Sequence, residues 1–238
     1  ADLLAAARAA VAREGPAAAT NPAVTSLLPR TRLWDFLRNL VADPILPDRA
    51  QVSMVPLVPM DREPRSYFPE DLHIDGVFED GHVENFACLV GVPLDAFPAP
   101  FMGNFGVFPG SHLRLQELFR QRGADAFGQW MRGEAADPSG PALRGYPAWR
   151  QRLKQMFGND PYQLLHVEIG QAYVVHYQTV HFYHLNLRGA DPRTVLYFRV
   201  WPRRGVPPGG LEKNREPAAL SDVWFEFPPM AAGADVAK

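Results

Sequence analysis

His73 and Asp75 stand two residues apart in the stretch LHIDG, residues 72–76. Apolar Leu72 and Ile74 alternate with them, so in an extended segment the imidazole and the carboxylate point to the same side. Such a pair supplies two of the three protein ligands of a facial triad. Two histidines and one carboxylate leave three positions open on a divalent metal, which is the donor set of non-haem Fe(II) oxygenases. The third ligand must come from elsewhere in the fold. Six other histidines are available: His82, His112, His166, His176, His181 and His184. An isolated His-x-Asp is common by chance, so the rest of the chain must decide whether this one is a site.

The elements that would position such a site are legible in outline. Residues 2–13 read as a short amphipathic helix. TRLWDFLRNLV, 31–41, reads as a second, with Thr31 as N-cap and Leu33, Phe36, Leu37 and Leu40 on one face. From Gln51 onward the texture changes to strand-like runs bounded by Gly or Pro: 51–60, 84–94, 105–110, 162–170, 171–180 and 194–202. Between the third and fourth of these, 112–122 and 147–157 carry helical periodicity. A Pro/Gly-rich tail follows residue 203, with one further apolar run, DVWFEF, at 222–227. Helices first, then strands, a helical insertion and more strands predict a mainly β fold with flanking helices, of the double-sheet or jelly-roll kind. A parallel α/β fold would alternate strands and helices regularly, and this chain does not.

Composition narrows the function classes. The 238 residues suffice for one domain with a sizeable core, and 24 prolines suit short strands and loops better than a helical bundle. A net charge of −2 offers no global field for nucleic acid or an anionic membrane. Apolar runs fall far short of the roughly 20 residues that a spanning helix needs. The lone cysteine, Cys88, and an N-terminus without the basic-then-apolar order of a secretory signal lead us to expect a cytoplasmic protein.

Three motifs in order sharpen the reading. HID at 73–75 is followed by GNFGVFPGSH at 103–112, and then by His181, Asn186 five positions on and Arg193 twelve positions on. Together they resemble the phytanoyl-CoA dioxygenase family of Fe(II)/2-oxoglutarate-dependent oxygenases, over residues 50–202. The resemblance implies a double-stranded β-helix core, Fe(II) held by His73, Asp75 and His181, and 2-oxoglutarate and O2 as co-substrates. It also implies that Arg193 grips the distal carboxylate of 2-oxoglutarate; were Arg193 not the clamp, Arg199 on the same strand is the next basic residue in line. The family spacing selects His181 over His184, the runner-up, and over His176, placed five residues earlier in the same strand. Asn186 is expected to hold the loop after the ligand through bonds to backbone. Asn186 and Gln51 are the further candidates for co-substrate contact. Leu72 stands where relatives place an aromatic or polar residue, a departure that touches the outer shells and not the triad. An intact acid at 75 favours hydroxylation or another oxidation over halogenation, which in relatives requires Gly or Ala there.

The expected organisation is one domain, 1–238: N-terminal helices over 1–45, the core over 50–202 with its insertion at 113–160, and a tail over 203–238. The insertion carries eight Lys/Arg against five acids, interleaved with Phe127, Trp130, Tyr146 and Trp149. It reads as a helical cover, or as a lid that would receive an anionic group on a small-molecule substrate. The competing function is a non-catalytic jelly-roll that binds a ligand. A zinc hydrolase would need a positioned Glu near the metal, and no such motif is present.

Overall fold

RTVLYFRVWP forms a ten-residue strand, β8 (Arg193–Pro202), and the computed structural model is arranged around it. The structure describes residues 2–58, 72–75, 86–132, 148–203 and 227, with backbone alone at 2, 122–132 and 148–149. One side of β8 pairs with β1 (Pro44–Ile45) and β2 (Gln51–Val55). Its other side pairs with β3 (Cys88–Pro93), which in turn pairs with β6 (Tyr173–His176). A second sheet has the order β5 (Gln163–Leu164), β4 (Phe105–Val107), β7 (His181–Tyr183). Every pairing is antiparallel, and the two sheets with flanking helices make the mainly β, jelly-roll core that the sequence pattern predicts.

Both faces of β8 are covered, which is why its sequence does not alternate cleanly. Val195, Tyr197 and Trp201 face the second sheet, in a core shared with Phe105, Phe182 and Phe86. Leu196, Phe198 and Val200 face the other way, into a second core with Ala7, Ala10 and Val11 of α1 (Asp2–Glu14). A 3-10 turn (Gly15–Thr20) and a single-turn α2 (Pro22–Thr25) lead into α3 (Arg32–Leu40). Thr31 caps α3 as expected, its hydroxyl accepting from Leu33 N–H at 3.4 Å. Phe36 does not join the buried face of that helix: it is 51% exposed, and only Leu37 is fully covered.

The helical insertion is present as α4 (Ser111–Arg132) and α5 (Ala148–Phe157). Leu115 and Phe119 of the first and Leu153 and Phe157 of the second pack into the inter-sheet core beside Phe108. The side chains of Phe127, Trp130, Tyr146 and Trp149, together with His82 and most of 222–227, lie outside the described residues. Several strands are shorter than their apolar runs, because Gly110 and Gly170 turn the chain at positive φ (77° and 88°). Where the sequence reading put His176 and His181 in one strand, the structure separates them. His176 ends β6 in the larger sheet and His181 begins β7 in the smaller. A turn joins them: Thr179 N–H donates to His176 O at 2.9 Å and Gln178 N–H to the His176 ring at 3.2 Å.

Candidate metal centre

Leu72 and Ile74 are both buried in the core shared with Phe105 and Phe182, and the alternation of an extended segment turns His73 and Asp75 to its opposite side. His73 reaches the first residue of β7 by an isolated bridge to His181. His181 is held from behind as well. Its neighbour Val180 donates its N–H to the buried Ser111 hydroxyl at 2.9 Å, and Val180 O accepts from Phe108 N–H at 3.0 Å. The PGSH motif therefore buttresses the strand that carries His181. Phe105 stacks on its ring at 4.8 Å.

A ligand atom from each of His73, Asp75 and His181 lies within 4.8 Å of the other two. The Nδ1 of His181 sits 2.8 Å from Thr179 O, which fixes the proton on that nitrogen and leaves the Nε2 lone pair facing Asp75 Oδ1 at 3.9 Å. Burial, reinforced by the neighbouring His73, pushes the His181 imidazole down to about 4, so it is a neutral donor near pH 7. Two imidazoles and one carboxylate converging from one side are a donor set suited to Fe(II), Mn(II) or Co(II). His184 is buried but outside this group, its ring edge-on to Phe101 at 4.6 Å. His176 and His112 lie together elsewhere, ring centroids 5.4 Å apart.

Arg193 opens β8 on the inner face and is fully buried. None of its three guanidinium nitrogens has a hydrogen-bond partner among the described residues. The faces of Phe97 and Tyr183 flank it, each ring centroid 5.4 Å away. Asp191, the nearby acid in sequence, is engaged with Leu57 N–H instead. A buried cation without a counter-charge costs several kcal/mol, so a guanidinium with no acid beside it among the described residues is an arrangement suited to an anion. Its walls are phenolic: the Tyr173 and Tyr197 hydroxyls lie 2.7 Å apart, and Tyr183 hydrogen-bonds to Ser53 and Tyr197. Burial holds all three phenols above their ordinary range. The space beside the guanidinium exists because residue 103 is glycine: φ is +70°, and a Cβ there would come within 2.9 Å of Arg193 Nε. Tyr183 also stands 6.4 Å, ring to ring, from His73, so a single side chain separates the anion pocket from the triad.

Gln51 lies on the opposite flank. Its Oε1 accepts from Arg199 Nη2 at 3.0 Å, and the same Nη2 is 3.7 Å from Asp75 Oδ2. Asn186 spends its amide on backbone: its N–H groups donate to Val55 O and Ala190 O, and its oxygen accepts from Gly189 N–H. That is the loop-holding use. Asn104 does the same between strands, donating to Phe97 O and Leu165 O. Sequence reasoning missed Gly103 and the three tyrosines. Alternation along β8 from Arg193 would have put Tyr197 on the same face, but Tyr173 and Tyr183 enter from other strands with no local signal.

No protein-family model matches the sequence, and no curated protein matches it. Among solved structures, the fold is similar to HygX from Streptomyces hygroscopicus with nickel and 2-oxoglutarate bound. The identity is 16%, over 86% of this chain and 78% of that one, with a TM-score of 0.48. It is also similar to the non-haem alpha ketoglutarate dependent epimerase SnoN from nogalamycin biosynthesis (18%, 92% and 63%, TM-score 0.40). A third is the carbocyclase SnoK from the same biosynthesis (17%, 74% and 60%, TM-score 0.39). Likenesses this distant say nothing of what this chain binds.

Proposed function

We propose that the protein is a non-haem Fe(II)/2-oxoglutarate-dependent oxygenase of the phytanoyl-CoA dioxygenase-like kind, acting on a small organic substrate. The observation that carries this reading is the pairing of two unsatisfied features. A His-Asp-His cluster of ligand atoms converges at one point, and one tyrosine away a buried guanidinium lacks an anionic partner among the described residues. A short dicarboxylic 2-oxo acid answers both: its keto acid end suits the metal and its far carboxylate suits Arg193.

His73, Asp75 and His181 would hold Fe(II), which supplies activation of dioxygen coupled to conversion of 2-oxoglutarate into succinate and carbon dioxide. The chain's own residues do the rest. Thr179 fixes the tautomer of His181. Arg193 takes the distal carboxylate through two parallel charge-assisted bonds, stronger in a site closed to water by Tyr173, Tyr183 and Tyr197. Asp75 supplies the third ligand, which favours insertion of oxygen into the substrate, or another oxidation, over halogenation. No helix among the described residues is long and apolar enough to cross a membrane.

Two measurements test the reading. Mn(II) and then 2-oxoglutarate are titrated into the protein without oxygen, followed by succinate formation in air with Fe(II). Sequential binding and succinate release are expected. Failure of both metal and 2-oxoglutarate to bind would overturn it.

A further inference from the structure

The two oxygens of Asp75 face different partners. Oδ1 is 3.9 Å from His181 Nε2, on the side where the imidazoles converge. Oδ2 is 3.7 Å from Arg199 Nη2. Arg199 is itself placed from two directions: Nη2 donates to Gln51 Oε1 at 3.0 Å, and the guanidinium lies over the Phe86 ring, 5.6 Å from its centroid. Gln51 sits opposite Tyr197 in the β2–β8 register, so the strand pairing itself brings its side chain to Arg199. A carboxylate free to turn about its last torsion presents either oxygen, or both, to a cation; a guanidinium on one oxygen removes that freedom.

We infer that Arg199 is a positioning residue that holds Oδ2 of Asp75 and so turns Oδ1 alone toward His73 and His181, with Gln51 holding Arg199 in place. The inference rests on reading the triad as a metal centre. Arg199 touches neither imidazole in this role, and it acts through Asp75. It is distinct from Arg193, which has no hydrogen-bond partner among the described residues and lies beyond Tyr183. The charge of Arg199 works against a bound cation, and its orienting effect works for it. The two effects separate by genetics: the charge acts whether or not Asp75 is present, and the orientation acts only through Asp75.

The test is Co(II) affinity, by calorimetric titration without oxygen, in a double-mutant cycle. Wild type, Arg199→Ala, Asp75→Ala and the double variant are compared. Residues that orient a ligand are worth about 10- to 100-fold in metal affinity. Arg199→Ala should therefore weaken Co(II) binding about tenfold or more when Asp75 is present and should not weaken it when Asp75 is alanine. A second cycle uses only exposed or half-exposed positions and keeps Asp75 intact. Gln51→Leu should weaken binding several-fold with Arg199 present and leave it unchanged in Arg199→Ala. Arg199→Lys, which keeps the charge and loses the fork, should fall between wild type and Arg199→Ala. Equal responses in the two Asp75 backgrounds, whether loss, gain or no change, overturn the inference and leave the metal centre standing. Wild-type protein that binds no Co(II), Mn(II) or Fe(II) overturns the metal centre and this inference with it.

Discussion

His73 and His181 are joined by a reciprocal pair of backbone hydrogen bonds, His73 N–H to His181 O at 3.0 Å and His181 N–H to His73 O at 2.9 Å. Their rings lie 4.3 Å apart as a direct result. Residues more than a hundred positions apart in sequence are thus held in register by main chain, and the imidazoles need no side-chain scaffold of their own to meet.

That bridge makes the ligand set specific. His73→Ala, Asp75→Ala and His181→Ala should each weaken Mn(II) or Co(II) binding by more than the roughly 10- to 100-fold that a supporting residue costs. His184→Ala should keep affinity within that range. Calorimetric titration of the four variants checks it, and a dead His184→Ala beside a live His181→Ala would transfer the role.

Arg193 trades stability for binding. Its guanidinium is buried without a counter-ion among the described residues, so Arg193→Met should stabilise the ligand-free protein by about 1–4 kcal/mol. At roughly 2–4 °C per kcal/mol for a chain of this size, the melting temperature should rise by several degrees. The same variant should lose about 30- to several-thousand-fold in 2-oxoglutarate affinity, the equivalent of roughly 2–5 kcal/mol, with metal affinity nearly unchanged. Arg193→Lys should recover only part of it. Thermal melts with and without 2-oxoglutarate read both effects; a variant that melts lower and binds normally would contradict them.

Gly103→Ala should behave as a milder Arg193 variant. The added Cβ falls at a positive-φ position and 2.9 Å from Arg193 Nε, so the guanidinium must shift. We expect 2-oxoglutarate affinity to drop at least tenfold while Mn(II) affinity stays within twofold of wild type, on the scale of 1.4 kcal/mol per tenfold change. Titration of the Mn(II)-loaded variant decides it.

The metal-free protein should lose stability in mild acid. His181 has an ordinary value of 6.5 when unfolded and about 4 in the fold, chiefly because it is buried. Between those values the unfolded chain takes up a proton that the folded chain refuses. Stability from this group is therefore complete above about pH 6.5 and declines as pH falls toward 4, by about 3 kcal/mol in all. Urea midpoints from pH 7.5 to 4.5 measure the slope, and His181→Phe should flatten it.

The sequence disclosed most of what alternates and little of what crosses. Leu72 and Ile74 framed His73 and Asp75 correctly, because period-two burial is local. The apolar runs located β2, β3, β6 and β8 for the same reason. The break between His176 and His181 was not legible, since VVHYQTVHFY is apolar on both sides of a turn made by backbone and a histidine ring. Nor was the Arg193 pocket: its rings come from Phe97, Tyr173, Tyr183 and Tyr197 on four different segments, and only tertiary pairing brings them together. Gly103 belongs to the quoted GNFGVFPGSH motif, yet nothing near it in sequence says that its missing side chain makes room for an arginine ninety residues away.

β8 keeps its two faces in separate employment, and this bears on how the protein can be evolved in the laboratory. Odd-numbered residues from Arg193 to Trp201 lie on the side of the second sheet, where His181 also sits, and even-numbered ones from Thr194 to Val200 look toward the helical layer or the strand ends. A saturation library along this one strand should therefore split by parity. Even positions should score in a screen for soluble expression alone, while substitutions at Arg193, Tyr197 and Arg199 should score in a screen for co-substrate and metal, with the buried Arg193 and Tyr197 registering in both. A new specificity could then be sought on one side of a single strand without reselecting the other.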